Sequence, residues 1–217
     1  MLKVALADDH QLFRKSLRLM LSTFKGVEVV LEAENGEHLL ELMAGTHVDL
    51  LLLDIQMPHM DGYQACIKVR KAFPEVKILI LSQLTSKESV HKVMECGANG
   101  FFSKNTDPAQ LENAIRSIRD KDFYFGTDLG TVLRDAILWH KQNQSQYTVM
   151  PISKREVEVI RLACQELSSM EIADRLNINV RTVETHRKRI MEKTNSKNFI
   201  GVILYALHNK IIQLEEL

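Results

Sequence analysis

Residues 50–53 are four consecutive leucines, and the run ends on an aspartate, Asp54. A strand with no polar position has no face to give to water, so it must be covered on both sides. Ile78-Leu79-Ile80-Leu81 repeats the pattern. Strands of that kind occupy the centre of a parallel sheet with helices on either face. The neighbouring segments supply the rest: residues 3–7, 27–33 and 100–102 read as further strands, alternating with amphipathic stretches at 11–23, 63–73, 86–96 and 107–119. In the first of these, Leu12, Phe13, Leu17, Met20 and Leu21 recur at helical spacing. The first 120 residues therefore predict an α/β fold, a doubly wound five-stranded parallel sheet with right-handed crossovers.

Beyond Arg119 the pattern changes. Residues 121–149 mix Gly126, Gly130, a helical-looking patch at 131–140 and a polar run, which reads as a partly helical linker. From Ile152 only helical patterns remain, at 154–166, 168–176, 180–193 and 198–209. Ser153 three residues before Glu156, and Ser168 three before Glu171, are capping-box signatures. The predicted organisation is a domain over 1–120, a linker over 121–149 and a small all-α domain over 150–217.

At 217 residues and 45% hydrophobic the chain can build two cores. Its aliphatic runs fall far short of the roughly 20 apolar residues that span a bilayer. Asp8 and Asp9 follow the first short apolar run at once, unlike a secretory signal, so a cytoplasmic location is expected. Cys66, Cys96 and Cys164 lack the paired spacing of a zinc or redox site and read as buried thiols. The net charge is zero, but between Arg175 and Lys197 seven basic residues face only two acidic ones. Such a local stripe suits a polyanion on one face, or simply a solvated helix.

In a doubly wound sheet functional groups gather at the carboxyl ends of the strands, where strand order reverses. Asp8 and Asp9 end the first strand, Asp54 the third and Ser82 the fourth, while Lys104 follows the fifth. Converging carboxylates repel unless a cation neutralises them, and oxygen ligands suit Mg2+. With the cation present, one carboxylate can attack phosphorus, Ser82 can hydrogen-bond a phosphoryl oxygen and Lys104 can pair with another. Polar strand ends are also common without function, and Asp61-Gly62 is an ordinary turn pair.

The set Asp8-Asp9, Asp54-Ile55-Gln56-Met57-Pro58, Asp61-Gly62, Ser82 and Gly100-Phe101-Phe102-Ser103-Lys104 resembles the receiver domain of two-component response regulators, which has a flavodoxin-like fold. The resemblance implies that Asp54 accepts a phosphoryl group from the phosphohistidine of a sensor histidine kinase. It implies that Asp8, Asp9, Asp54 and the backbone carbonyl of Gln56 hold Mg2+, that Ser82 and Phe101 are the switch hydroxyl and switch aromatic, and that Lys104 binds phosphate. Two positions depart from the pattern: Phe101 stands where many relatives have tyrosine, and Asn105 where many have proline.

Residues 168–176, a short turn and residues 180–186 resemble the LuxR-type helix-turn-helix of the NarL/FixJ family, with the match running from about Ile152 to Ile212. The resemblance implies that the second helix enters the major groove of double-stranded DNA. Val183 and Ile190, seven apart, should face the core. Glu184, Thr185 and Lys188 then share the outer face and suit base edges, while Arg181, Thr182, Arg187 and Arg189 suit phosphates. His186 reads as a half-buried packing residue.

The expected function is a transcriptional response regulator that phosphorylation of Asp54 switches, drawing Ser82 and Phe101 inward and freeing the helical domain to bind DNA as a homodimer. Two alternatives have distinct signatures. A constitutive transcription factor would use its receiver only for oligomerisation. A haloacid-dehalogenase-like phosphatase would need a second carboxylate two residues after the nucleophile, where this chain has Gln56. No catalysis beyond slow loss of its own phosphate is expected.

Overall fold

The computed structural model describes residues 1–83, 92–93, 95–107, 109–124 and 151–213. The chain divides into two compact units, Met1–Ile115 and Arg116–Leu217.

The first unit is built on five parallel strands, β1 (Leu2–Ala7), β2 (Val27–Ala33), β3 (Leu50–Asp54), β4 (Lys77–Ser82) and β5 (Gly100–Ser103). Their order is β2-β1-β3-β4-β5. The four leucines of β3 are fully buried, as are Ile78, Leu79 and Ile80 of β4, so the continuously apolar strands do lie at the centre. The helices are α1 (Gln11–Leu21), α2 (Gly36–Met43), α3 (Gly62–Ala72) and α4 (Ala109–Lys121), the last running past Ile115. The chain passes outward from β1 to β2 and then reverses to β3. Right-handed crossovers therefore set α1 on one face and α2 with α3 on the other, and α2 does pack against α3. The switch of direction lies between β1 and β3, whose carboxyl ends carry Asp8 and Asp54.

Sequence periodicity did not predict α2. Only eight residues long, it is shorter than the window over which helical spacing declares itself, and it is started by Asn35, whose side chain accepts from the His38 backbone N–H. The helix expected at 86–96 and the linker patch at 131–140 fall largely or wholly outside the described residues.

Gly62 shows what fixes the start of α3. Its N–H donates to the Ile55 carbonyl at 2.9 Å, and a Cβ there would stand 2.0 Å from the Asp54 carbonyl oxygen. Asp61, more than a turn residue, caps α3 by accepting from the Gln64 N–H. The cysteines are buried, and Cys66 and Cys96 are near one another in space, the Cys66 thiol pointing at the Cys96 carbonyl at 3.6 Å.

In the second unit four further helices, α5 (Lys154–Cys164), α6 (Ser169–Leu176), α7 (Val180–Thr194) and α8 (Phe199–His208), enclose an apolar core. Both capping boxes are present, at Ser153/Glu156 and Ser168/Glu171. Asn177 and Asn195 end α6 and α7 in the left-handed region, at φ 53° and 50°. Asn177, Ile178 and Asn179 make the tight turn of a helix-turn-helix, and Asn179 caps α7 through the Arg181 N–H. Val159, Ile160, Ile172, Val183, Ile190 and most of α8 form the core.

Candidate functional site: an acidic pocket and a basic helix

The carboxyl ends of the strands bring together residues that are far apart in the chain. Asp8 and Asp54 are buried, at 1% and 3% exposure, in a protein where uncompensated charge at such depth is costly. Compensation comes from Lys104, whose Nζ lies 2.7 Å from Asp8 Oδ2 and 2.8 Å from Asp54 Oδ2. The lysine is steered by its surroundings: its backbone N–H donates to the Ser82 carbonyl at 2.8 Å, and its ammonium sits 4.6 Å from the centre of the Phe13 ring. On the outer side, Asp9 stays partly exposed and pairs with His10, Nδ1 to Oδ1 2.8 Å. The Asp8 N–H donates to the Ala33 carbonyl of β2, and Arg14 of α1 donates to the Asp8 carbonyl, so the loop after β1 is tied to two elements.

Burial is the largest influence on Asp54 and raises its carboxyl above the ordinary value. The hydrogen bond and charge of Lys104 and the Gln56 backbone N–H oppose that, while Asp8 adds to it. The result is a buried acid at the end of β3, paired with Lys104.

The candidate ligand atoms of Asp8, Asp9, His10 and Asp54 lie within 4.8 Å of one another. Three carboxylates against one lysine leave a formal excess of two negative charges, and the carboxylates offer hard oxygen donors. That donor set fits a divalent ion such as Mg2+. Ser82 is buried at the end of β4, as the sequence suggested. Phe101 is also buried, at 8% exposure. The expectation that modification draws Ser82 and Phe101 inward meets a chain in which both are already inside. A phenyl ring has no hydroxyl to solvate, which favours its burial.

On α7 the expected face is largely present. Arg181, Thr182, Glu184, Thr185, Lys188 and Arg189 are exposed, while Val183 and Ile190 are buried. Thr185 donates its hydroxyl to the Arg181 carbonyl at 2.8 Å. His186 is half-buried, as read from its position.

Arg187 differs from the expectation. It is 2% exposed, and Nη1 donates to the Lys121 carbonyl at 2.9 Å and lies 3.2 Å from Asp122 Oδ2, while the guanidinium stacks 4.6 Å from the Phe199 ring centre. Nε and Nη2 find no hydrogen-bond partner among the described residues. Burial pulls this group below its ordinary value, and Asp122 opposes the shift. In this conformation it cannot touch a phosphate on the outside of the helix. The sequence did carry the signal: Arg187 is four residues after Val183 and three before Ile190, on the core stripe itself.

A phosphoacceptor-type pocket at the switch point of a β2-β1-β3-β4-β5 sheet, followed by a helix-turn-helix with a basic outer face, defines a regulator that joins an input domain to a DNA-reading one. Residues 4–116 match the response regulator receiver domain, and residues 150–206 match the bacterial regulatory proteins of the luxR family. The chain belongs to the NarL/FixJ family of response regulators, the DNA-binding transcription regulators of two-component systems. It is 31% identical to the uncharacterized transcriptional regulatory protein YxjL of Bacillus subtilis, over 98% of both chains. It is 32% identical to the oxygen regulatory protein NreC of Staphylococcus haemolyticus, over 97% of this chain and 99% of that one. Among solved structures, the Salmonella typhimurium response regulator RcsB superposes with a TM-score of 0.55 at 25% identity, covering 94% of this chain and 97% of that one. RcsB has also been solved in complex with DNA. No helix among the described residues is long and apolar enough to cross a membrane.

Proposed function

We propose that Asp54 is the phosphoacceptor through which a sensor histidine kinase controls DNA binding by α7. The observation that carries this reading is the junction of Asp8, Asp54 and Lys104, three ionic groups from three strand ends meeting within hydrogen-bond distance. An Asp54 carboxylate oxygen attacks the phosphorus of the kinase phosphohistidine, the P–N bond breaks, and its electron pair returns to the imidazole nitrogen, which takes up a proton. Asp8, Asp9, Asp54 and the Gln56 carbonyl are the residues to hold Mg2+, which when bound screens the charge of the incoming phosphoryl group. Lys104 moves from the lost Asp54 charge to a phosphoryl oxygen, and Ser82 donates to another. Slow hydrolysis of the resulting acyl phosphate is the only turnover assigned to the chain.

The input domain spans residues 1–120 and the DNA-binding domain 150–217, joined by a linker over 121–149, in a cytoplasmic protein. Glu184, Thr185 and Lys188 read base edges; Arg181, Thr182 and Arg189 contact phosphates. A homodimer places two α7 helices on half-sites about one helical turn apart. Footprinting tests the coupling: a phosphodonor should strengthen protection by the wild type and leave Asp54→Ala unchanged. Equal protection by the two proteins under the donor favours a second reading, in which the receiver serves only for oligomerisation. The prior burial of Phe101 is the observation on its side.

A further inference from the structure

We propose that His10 is a ligand of the acidic pocket, which makes the pocket a site for imidazole-liking divalent ions of the Co2+ and Zn2+ class as well as for Mg2+. This rests on the pocket being a metal site at all, as argued above. The carboxylates divide their oxygens between two sides. Asp8 Oδ2 and Asp54 Oδ2 face the Lys104 ammonium. Asp8 Oδ1 and Asp9 Oδ1 face His10, whose Nδ1 lies 3.5 Å from the first and 2.8 Å from the second.

The imidazole nitrogen thus stands among the oxygens on the side that the lysine leaves open. Ligands about 2.0–2.2 Å from a metal are separated by up to about 4.4 Å, so the present spread of 4.8 Å needs only a small closure. His10 has no competing task on its own helix. It is the N-cap of α1, yet its side chain makes no capping hydrogen bond. Its backbone N–H donates to Asp8 Oδ1 at 2.8 Å, which sets the residue's position against the carboxylates. The side chain is 67% exposed, so the ring can adjust without disturbing the core.

Oxygen donors alone suit Mg2+ and Mn2+; one imidazole shifts preference toward later first-row ions. A simple imidazole–carboxylate pair would show the same contacts but no metal selectivity.

The test is calorimetric titration of the full chain with Mg2+ and with Co2+, for wild type, His10→Ala and Asp9→Asn, with the visible absorption of bound Co2+ as a second readout. His10→Ala should weaken Co2+ by roughly tenfold or more and Mg2+ by less than about threefold, and should change the Co2+ spectrum. An unchanged spectrum, or equal changes for the two ions, overturns the role of His10. If Asp9→Asn weakens both ions while His10→Ala weakens neither, the metal pocket stands and this inference alone falls. A wild type that takes up neither ion removes the pocket reading and the inference with it.

Discussion

The acidic pocket and the basic face of α7 are both charged sites, yet they are assembled in opposite ways. The pocket draws Asp8, Asp54 and Lys104 from three strand ends and buries them, so each position depends on the whole sheet. The face of α7 comes from one helix, with residues a turn apart left in solvent. A buried, long-range site is organised in advance and unforgiving of backbone change; an exposed local one tolerates side-chain change and works by charge. Arg187 crosses that division, being a cation of α7 that is buried and paired with Asp122 at 3.2 Å.

The most severe way to break the pocket is Gly62→Ala. Its methyl group would meet the backbone at Asp54 and Ile55, so α3 must shift. Overpacking of this kind should cost about 3 kcal/mol, read as a lower urea midpoint, with loss of phosphoryl uptake. Alanine at the exposed Thr182 should leave stability within about 0.5 kcal/mol.

Asp122→Asn comes next. Asparagine tolerates the left-handed backbone at this position, where φ is 76°, so the substitution isolates the charge. A buried guanidinium that loses its counter-ion should destabilise the helical unit by about 2 kcal/mol, seen as a lower Tm. An unchanged Tm would mean that Asp122 contributes nothing to holding Arg187 in the core.

Lys188→Ala should act without touching stability. It should weaken binding and, if the lysine reads guanine, relax preference at one base pair by about 1–3 kcal/mol. Uniform weakening across sequences, with a salt slope lower by about one, would make it a phosphate contact.

The smallest effect is the pH dependence of Asp54. Because burial raises its folded value, the folded chain keeps a proton that the unfolded chain, near 3.8, has already released. Stability therefore falls as pH rises through that window, and Asp54→Asn, which carries no charge to bury, should be slightly more stable than wild type at neutral pH in chelator. The difference should vanish below pH 3.8. A less stable variant at neutral pH would mean that the bond to Lys104 outweighs burial.

Much of this was legible in the chain. Continuous apolar runs announced buried parallel strands, and polar residues at their ends marked the pocket, because topology forces those ends together. What stayed hidden had physical causes. The short helix α2 has too few turns to show a period. The charge of Arg187 suggests a phosphate contact, whereas its spacing from Val183 places it in the core, where Asp122, a neighbour 65 positions away, offsets the cost of burial. The contact of His10 with Asp9 stayed hidden because nothing in sequence says which way an N-cap ring turns.

Phosphoryl transfer to Asp54, as proposed, has a direct readout. Intact-mass spectrometry after incubation with acetyl phosphate and Mg2+ tests it most directly. One added phosphoryl group on the wild type, absent from Asp54→Ala, is the expected result; the same addition on both proteins, or on neither, would contradict it.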